Sequence, residues 1–331
     1  MAFRDGQRKK NKSILVVSLD NLGDLIFASA LVQPIREQFP DAKIGLWCKA
    51  YAAGLAPLIP DVGEVYAADP FWDRSPGTGK GSLPGFVSSI ASVKRARFGH
   101  AIVTSAPWRT AAAVAAAGIP QRIGLERRRN RRWLTDVLPP ENRKKPVLDE
   151  IARLLAPLGI QRSSLRYKLD ASGLHEEHAT VSKIIGDPFV ALHPFAGSET
   201  RCVKLEEWAK VAAELAVRDV KVLWVGSTPE LARVKSLADT TNSWHFSDAL
   251  SNGSLTTVAA AISRAKIFIG HDSGPMHIAA ALGVPTVGVF APGEPERTFP
   301  QGEGAWRIVS GDSPIDITAE QILEEASALL E

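Results

Sequence analysis

The sequence predicts an α/β protein made of two doubly wound domains, each a parallel β-sheet with helices on both faces. Three observations predict this class. Short β-branched apolar runs alternate with helical patterns in the first half of the chain, the same alternation restarts in the second half, and a polar stretch at 162–186 separates the two. Strands that alternate with helices form parallel sheets, because each crossover returns the chain through a helix. A length of 331 residues is sufficient for two hydrophobic cores.

In the first half, the apolar run 13–18 predicts a buried strand and is followed by a polar turn. A helical pattern then covers 25–38 and ends before Pro40, which cannot continue a helix. The Gly-, Pro- and Ser-rich segment 69–85 predicts a mobile surface loop. Further elements of this half are predicted at 42–48 (strand), 51–58 (helix), 64–67, 87–95, 101–103, 110–117 (helix) and 146–158 (an amphipathic helix closed by Gly159).

The alternation of strands and helices restarts after residue 186 and continues to the end of the chain. The last helix, at 318–330, is expected to be capped by Asp316, because a carboxylate can accept hydrogen bonds from the first helical turn. The other predicted elements are strands at 189–192, 220–225, 267–270 and 286–290, and helices at 205–217, 228–239, 254–265 and 274–282.

These patterns predict the organisation of the chain. A disordered basic tail at 1–12 precedes a first domain at 13–165, and a linker at 166–187 leads to a second domain at 188–315. The C-terminal helix at 316–331 is expected to pack back on the first domain.

Composition narrows the class of protein. The only two cysteines, Cys48 and Cys202, are far apart in sequence, which argues against a disulfide framework or a zinc site and suits a reducing cytosol. No stretch approaches the roughly 18 apolar residues that a membrane-spanning helix needs. The N-terminus is polar and basic and lacks the apolar core of a secretory signal. Any membrane contact is therefore expected to be peripheral.

The strand-to-helix turn from Ile267 to His277 is the most informative segment of the sequence. A buried strand ends at Gly270, and a helix is predicted to begin near Ser273 and Gly274. The first N–H groups of a helix, with the positive end of its dipole, form an anion site. The alternative is structural, with Asp272 or Ser273 as an ordinary N-cap and His277 as a first-turn residue.

A second turn follows the strand that ends at His193. It holds the hydroxyls of Ser198 and Thr200, then the cations Arg201 and Lys204. The arginine presents a planar fork of donors suited to a diphosphate, and the lysine supplies a point charge. The alternative is a solvated charged loop.

Two further turns carry carboxylates where a strand gives way to a helix. Asp24 could act as a general base or could stabilise a helix N-terminus, and Asp20 competes for the same role. Glu230 could accept hydrogen bonds from ribose hydroxyls or could be a helix-start glutamate behind Pro229.

Taken together, these turns resemble glycosyltransferase family 9, the ADP-heptose:lipopolysaccharide heptosyltransferases. The resemblance covers nearly the whole chain. The motifs that carry it are Leu22-Gly23-Asp24, Arg122-Ile-Gly-Leu, Leu154-Leu155-Ala-Pro-Leu-Gly159, His193-Pro194 with Arg201 and Trp208, Asp272-Ser273-Gly274-Pro-Met-His277, and Gly283-Val-Pro285-Thr286.

The resemblance implies a GT-B fold, in which two Rossmann-like domains face a cleft, and inverting transfer without a metal ion or another cofactor. It implies that the first domain binds the acceptor and the second a nucleotide-sugar. By motif position, Asp24 corresponds to the base that deprotonates the acceptor, and Glu230 to the acid that contacts the ribose. The donor-binding residues are Ser198, Thr200, Arg201, Lys204, Glu230, Asp272, Ser273, Gly274 and His277.

One departure from the family pattern concerns the donor loop. The family often has Lys-x-Trp-Pro before the helix, where this chain has Arg201-Cys-Val-Lys204. The exchange of lysine for arginine keeps the charge and changes its geometry. The chain also lacks the Asp-x-Asp motif that holds a metal in another transferase fold. Arg201, Lys204 and the helix N-terminus at Gly274 are therefore expected to replace a divalent ion.

The densest charge run lies in the first half of the chain and ends at Trp133. We expect it to bind an acidic glycolipid acceptor or an anionic membrane, although a solvated basic surface is the structural alternative. Nucleic acid is not an expected partner, because no nucleic-acid motif accompanies the run. Its arginines are Arg127, Arg128, Arg129, Arg131 and Arg132.

The resemblance leads to one expected function and two alternatives. We expect transfer of a heptose from ADP-heptose to an acceptor in the lipopolysaccharide inner core. The enzyme is expected in the cytoplasm or at the cytoplasmic face of the inner membrane. The alternatives are transfer of a heptose or related sugar to a protein or a secondary metabolite, and a non-catalytic protein that binds nucleotide-sugars. A base at Asp24 together with cations at Arg201 and Lys204 favours an enzyme.

Overall fold

The structure is a computed structural model that describes residues 12–73, 81–105, 107–127, 129–140, 144–186, 188–241, 243–245 and 254–330. The described residues form two compact units. The first holds 12–56, 61–140 and 150–165 within these limits, and the second holds 57–60, 144–149 and 166–330. Of the predicted tail, only Lys12 is among the described residues. Residues 74–80 of the predicted loop also lie outside the described residues.

The first unit contains a six-stranded parallel sheet in the order β3-β2-β1-β4-β5-β6. Its central strands are buried, and the register pairs Ser13 with Lys43 on one side of β1 and Ile14 with His100 on the other. The strands are β1 (Ser13–Ser18), β2 (Lys43–Cys48), β3 (Glu64–Ala67), β4 (His100–Val103), β5 (Gln121–Leu125) and β6 (Asp136–Leu138).

The helices of the first half follow the predicted alternation, with one break. The single helix predicted over 25–38 is two helices, because Pro34 has no N–H to donate and its ring clashes with the carbonyl of Ala30. The helices are α1 (Leu22–Ser29), α2 (Val32–Gln38), α3 (Leu83–Ala96), α4 (Trp108–Ala116) and α5 (Val147–Ala152), with 3-10 turns at Ala53–Leu58, Arg131–Trp133 and Arg153–Leu158.

The second unit contains another six-stranded parallel sheet, in the order β12-β11-β10-β7-β8-β9. Its strands are β7 (Phe189–His193), β8 (Lys221–Trp224), β9 (Trp244–His245), β10 (Ile267–His271), β11 (Thr286–Phe290) and β12 (Trp306–Ser310). Its helices are α6 (His175–Ile184), α7 (Leu205–Val217), α8 (Thr228–Thr240), α9 (Leu255–Arg264), α10 (Gly274–Ala281), α11 (Pro295–Thr298) and α12 (Ala319–Leu330), with 3-10 turns at Glu199–Arg201 and Pro314–Asp316.

Both sheets have the same winding. In each unit the first strand lies in the middle, the next two strands extend the sheet on one side, and the last three extend it on the other. This is the Rossmann order, in which ligands bind where the winding reverses, at the carboxyl ends of the strands. The predicted class of two doubly wound parallel sheets is confirmed. The reversal falls between β1 and β4 in the first unit, and between β7 and β10 in the second.

The structure differs from the predicted linker at 166–187. This segment belongs to the second unit, where Tyr167 is fully buried and α6 packs against α9. His178 Nε2 lies 2.9 Å from Ser263 Oγ, and Val181 is buried at the helix interface. The helix was missed because one apolar stripe is enough to dock it, and its other faces are polar and charged.

The C-terminal helix also differs from its prediction. α12 packs on α7 and on strands β10–β12 of its own unit, with Ile322 fully buried. Its expected docking on the first domain stays a prediction. Its cap is Thr318, whose backbone N–H donates to Gln321 Oε1 at 2.9 Å and whose Oγ1 accepts from Gln321 N at 3.4 Å. Asp316 instead accepts from the backbone N–H of Ser313, so its predicted capping role is wrong.

The predicted loop at 69–85 is ordered at both of its described ends. Asp69 Oδ1 accepts a hydrogen bond of 3.0 Å from the backbone N–H of Ala50. α3 begins at Leu83, inside the predicted loop, because Ser82 Oγ caps it by accepting from Gly85 N at 3.1 Å. Among the described residues, no helix has both the length and the apolar character needed to cross a membrane.

Candidate functional site

The site of the second unit lies where β7 and β10 run side by side. The register pairs Gly270 with His193, so both strands end at the same edge of the sheet. A side chain at Gly270 would not fit, because a Cβ there would lie 2.9 Å from the carbonyl oxygen of His193. The loops that follow the two strands contain the predicted donor residues Ser198 to Lys204 and Asp272 to His277. They therefore emerge together at the reversal point.

Asp272 is the centre of this site. Arg201 Nη2 donates to Asp272 Oδ2 at 2.8 Å, and Thr298 Oγ1 donates to the same oxygen at 3.2 Å. His277 Nε2 lies 3.4 Å from Oδ1. Burial alone would raise the pKa of Asp272, but the hydrogen bond from His277 and the charges of His277 and Arg201 outweigh it, and the pKa is lowered. Asp272 is thus a carboxylate that holds Arg201 in place.

A second layer of contacts fixes His277. Its Nδ1 lies 3.1 Å from Tyr167 Oη, which also accepts a 2.7 Å hydrogen bond from the backbone N–H of Gln301. Burial raises the pKa of Tyr167, so the phenol keeps its proton. The contact with Tyr167 holds the imidazole so that His277 Nε2 faces Asp272. Sequence reasoning missed Tyr167, because it lies in the segment interpreted as a linker, and it also missed Thr298.

His271, at the end of β10, is a neutral structural residue. The backbone N–H of Val203 donates to its Nε2 at 3.0 Å, so its Nδ1 must carry the proton that points to the carbonyl of Val289 at 3.2 Å. Burial lowers the pKa of His271 to about 4. This imidazole ties the donor loop after β7 to the ends of β10 and β11.

The helix that follows β10 begins inside the site. Ser273 occupies the N-cap position of α10, but its hydroxyl donates to the carbonyl of His271 at 3.0 Å and makes no capping bond to the helix. Pro275 has no N–H, so the donors of the first turn are the backbone groups of Gly274 and Met276. Backbone N–H groups at a helix N-terminus suit an anion.

The other predicted donor residues are less closely held. Ser198 Oγ and Thr200 Oγ1 lie 2.8 Å apart and bond to each other in an exposed turn. Lys204 is exposed at the N-cap of α7. Of the two cations in this loop, Arg201 is the one that the structure joins to Asp272.

Glu230 begins α8, beside the end of β8. Its Oε2 accepts hydrogen bonds of 2.7 Å from both the backbone N–H and the hydroxyl of Ser227, which is a capping box. The fold therefore shows Glu230 in the structural role considered above, as a glutamate that caps the start of a helix. A ribose contact from this carboxylate stays a prediction.

Asp24 lies at the reversal point of the first unit, in the first turn of α1. It is exposed, and its Oδ2 accepts a 3.1 Å hydrogen bond from the backbone N–H of Asn21 as part of a capping box. Asp20 is half-buried in the preceding turn. Lys49, which sequence reasoning missed, donates to Asn21 Oδ1 at 3.2 Å and is ion-paired with Asp73. Its side chain is only 2% exposed.

The arginine run follows β5 and divides into paired and stacked members. Arg127 Nη2 lies 3.0 Å from Oε1 of the buried Glu150, and Arg131 Nη1 lies 3.1 Å from Glu126 Oε1. Arg132 packs over the rings of Trp108 and Trp133. Arg128 lies outside the described residues. An open groove of about 640 Å³ is lined by Arg129, Arg131, Arg132 and Leu134.

Within the described ranges, no group of three or more His, Cys, Asp or Glu side chains is arranged to hold a metal ion. Arg201 and the start of α10 each contribute positive charge to the second unit's site.

The chain is similar in sequence to known heptosyltransferases. Residues 87–322 match the family model of glycosyltransferase family 9 (heptosyltransferase). The lipopolysaccharide core heptosyltransferase OpsX of Haemophilus influenzae is 24% identical over 301 residues, which cover 87% of this chain and 82% of that protein. Lipopolysaccharide heptosyltransferase 2 of Escherichia coli is 24% identical over 349 residues, covering 96% and 98%.

A solved structure shows the same fold. The Escherichia coli ADP-heptose lipopolysaccharide heptosyltransferase II has a TM-score of 0.79 and 21% sequence identity, covering 96% of this chain and 98% of that one. The predicted GT-B fold is confirmed by this likeness.

Proposed function

This chain belongs to glycosyltransferase family 9, the heptosyltransferases, and from that premise we propose that it moves a heptose from ADP-heptose to an acceptor in the lipopolysaccharide inner core. The transfer inverts the anomeric centre and uses no metal ion. The observation that carries the proposal is the contact of Arg201 with Asp272 beside the N-terminus of α10. The names of the similar proteins support the choice of sugar and acceptor.

The donor diphosphate is proposed to bind at the reversal point of the second unit. Arg201 is held by Asp272 through one end of its guanidinium, which leaves a planar group with several donors fixed in orientation. The N–H groups at the start of α10 face the same strand edge. Lys204 adds an exposed cation from the N-cap of α7. Together these groups suit two linked phosphates.

The chemistry requires stabilisation of a departing diphosphate. A bond forms between the acceptor oxygen and the anomeric carbon while the bond from that carbon to the phosphate oxygen breaks, and its electron pair leaves with ADP. Arg201, Lys204 and the α10 N-terminus are proposed to balance that charge, which a divalent ion does in other transferases. Donors fixed in advance typically contribute several kcal/mol to such a step.

Asp24 is proposed to take the proton of the acceptor hydroxyl. It is an exposed carboxylate at the reversal point of the first sheet, and its capping bond from Asn21 fixes its orientation. General base catalysis of this kind typically contributes about 10²–10⁴-fold. One base acting on a hydroxyl that attacks opposite the leaving group produces inversion.

The acceptor is proposed to be an anionic glycolipid, bound in the first unit near the arginine run. The enzyme would then work at the cytoplasmic face of the inner membrane, as a peripheral protein. The groove lined by Arg129, Arg131 and Arg132 supports an acidic ligand.

The test is a transfer assay with the full-length protein, ADP-heptose and a heptose-free lipopolysaccharide glycolipid, with and without EDTA. We expect a product larger by one heptose, formed at the same rate with the chelator, and an inverted anomeric configuration by NMR. Arg201→Ala should lower the rate, whereas Arg218→Ala, a control at the exposed C-cap of α7 that is paired with Glu214, should not. Transfer from UDP- or GDP-sugars but not from ADP-heptose would refute the donor, and loss of activity in EDTA would refute the metal-free mechanism.

A further inference from the structure

The turn that leads to Asp24 is held from both sides of β1. On one side, the backbone N–H of Leu19 donates to Ser105 Oγ at 2.7 Å, in the loop after β4. On the other side, Lys49 Nζ donates to Asn21 Oδ1 at 3.2 Å, and Lys49 is the residue that follows β2. Because β2 and β4 are the two neighbours of β1, both anchors come from the carboxyl ends of adjacent strands.

The ammonium of Lys49 is buried, although the turn that it contacts is exposed. Its side chain is 2% exposed, and it is ion-paired with Asp73, whose side chain is also largely buried. A lysine is almost never fully buried unless it is paired, because its charge gives up its hydration. An ammonium has three N–H donors, and here it faces both Asn21 and Asp73. Lys49 is therefore a fixed point of the fold and not a mobile surface cation.

Asn21 connects this buried ammonium to the proposed base. Its side chain accepts from Lys49, and its backbone N–H donates to Asp24 Oδ2 at 3.1 Å. The carbonyl of Asn21 also accepts a bond of 3.1 Å from the N–H of Leu25, inside α1. A shift of Asn21 would therefore displace both the start of α1 and the carboxylate of Asp24 in its first turn.

Tyr51 shows that Lys49 and the base belong to one cluster of charged groups. Lys49 Nζ lies 5.9 Å from the centroid of the Tyr51 ring. Burial raises the pKa of Tyr51 to about 12, and the charges of three carboxylates act in the same direction, namely Asp24, Asp73 and Asp69. The cation of Lys49 thus lies in a cluster that includes the proposed base.

We propose that Lys49 is a positioning residue for the transfer reaction, because it holds Asn21, and Asn21 in turn orients Asp24 towards the acceptor hydroxyl. This inference rests on the proposed function, in which Asp24 is the base. Lys49 does not itself contact a substrate, since its side chain is buried. A general base must lie within hydrogen-bond reach of the proton that it takes, so a small displacement of Asp24 slows the step without weakening substrate binding.

The test is a kinetic analysis of the full-length protein in the transfer assay, with ADP-heptose and the heptose-free glycolipid as substrates. Lys49→Met has an apolar side chain of similar length. It should lower kcat by about 10-fold or more and leave the KM of each substrate within about 2-fold of the wild-type value. Asn21→Ala, at an exposed position, removes the same link from its other end and should lower kcat by a similar factor.

A further variant guards against loss of the fold. Lys49→Met alone leaves a largely buried carboxylate facing an apolar side chain, which can destabilise the protein. Lys49→Met/Asp73→Asn replaces the ion pair by two neutral groups and should show the same low kcat. Circular dichroism and thermal melting verify that each variant is folded. If Lys49→Met unfolds, the double variant and Asn21→Ala give the result.

Lys43→Met is the matched control. Lys43 begins β2, at the opposite end of the strand from Lys49. It too is ion-paired and stacked, with Glu64 at 2.8 Å and with the ring of Phe98 at 4.9 Å. The substitution therefore removes the same kind of contacts from the edge of the sheet that lies away from the reversal point. Its kcat should stay within about 2-fold of the wild-type value, because a half-exposed ion pair contributes little.

A double-mutant cycle with Asp24→Asn identifies the path of the effect. If Lys49 acts through Asp24, Lys49→Met should change kcat by less than about 2-fold in the Asp24→Asn background, where the base is already lost. A purely structural role of Lys49 would instead lower kcat by the same factor in both backgrounds.

The outcomes separate the inference from the function it rests on. If Asp24→Asn lowers turnover but the folded Lys49 variants keep the wild-type kcat, Lys49 does not position the base. Equal losses in the two backgrounds, or a raised KM for the glycolipid with an unchanged kcat, would also overturn the inference. If the wild type transfers no heptose, or if Asp24→Asn turns over normally, the proposed function or its base fails, and the role of Lys49 fails with it.

Discussion

Acidification should destabilise the second unit through His271. Burial lowers the pKa of His271 to about 4, well below the ordinary value near 6.5. In the unfolded chain the imidazole takes up a proton as the pH falls through 6.5, whereas in the folded protein it stays neutral until about pH 4. The burial of His271 therefore costs no stability through protonation above pH 6.5. The loss of stability grows as the pH falls from 6.5 towards 4.

The size of the effect follows from the two pKa values. Between pH 7 and pH 5, the extra protons bound by the unfolded state correspond to about 2 kcal/mol of lost stability from this group. His271→Gln removes the titration, and its amide can still accept from Val203 N–H and donate to the carbonyl of Val289. Urea unfolding of both proteins at pH 7 and pH 5, followed by circular dichroism, measures the difference.

The comparison isolates His271 from the other titrating groups. Burial also lowers the pKa of His193, and this shifts stability in the same direction in both proteins. The variant is expected to lose about 2 kcal/mol less than the wild type between the two pH values. The geometry implies that the imidazole of His271 is neutral and makes two hydrogen bonds, one to Val203 and one to Val289. An equal pH dependence of stability in the two proteins would refute this.

Three further predictions follow from the same contacts. Asp24→Asn should lower turnover by about 10²-fold or more, because a general base is lost. It should unfold at nearly the wild-type temperature, because the amide oxygen can still accept from Asn21 N–H. Asp24→Ala should lose both turnover and thermal stability, and normal turnover in either variant would exclude Asp24 as the base. Arg201→Met should weaken ADP binding in calorimetry by about 10-fold or more, and unchanged affinity would contradict the donor site. Gly302→Ala should destabilise the protein by about 1–3 kcal/mol in urea titrations, because a Cβ there would lie 1.7 Å from the carbonyl oxygen of Ala280; a neutral effect would contradict this close packing.

Sequence patterns predicted the central elements of the fold better than the edges. The helix Leu205–Val217 and the strand Thr286–Phe290 have the predicted bounds, because each combines a strong apolar pattern with clear flanking residues. β5, β6, β9 and β12 were missed. Three of them, β6, β9 and β12, are edge strands of their sheets, and an edge strand needs fewer buried apolar residues, so β6 has no fully buried position and β12 has only one. β5 lies next to an edge, and its first two residues are polar and only half-buried, so its apolar run is short.

The site was predictable where local chemistry defined it. Asp272 and Arg201 were singled out from their turns, and the structure joins them by an ion pair. Tyr167 could not be identified in this way, because its contact with His277 spans 110 residues of sequence. Lys49 gave no signal either, since burial of a lysine depends on partners such as Asp73 that only the fold brings near.

The position of β1 at the centre of its sheet has a consequence for how the protein is made. β1 leaves the ribosome before the other strands of its sheet, but one of its two neighbours, β4, ends only at Val103, and the backbone N–H of Leu19 bonds to Ser105, 86 residues later. Pairing over such a separation is slow, because a long stretch of chain must be closed first. During synthesis, one edge of β1 therefore keeps its backbone N–H and C=O groups unpaired until β4 has been made, and an unpaired strand edge of this kind is prone to pair with other chains.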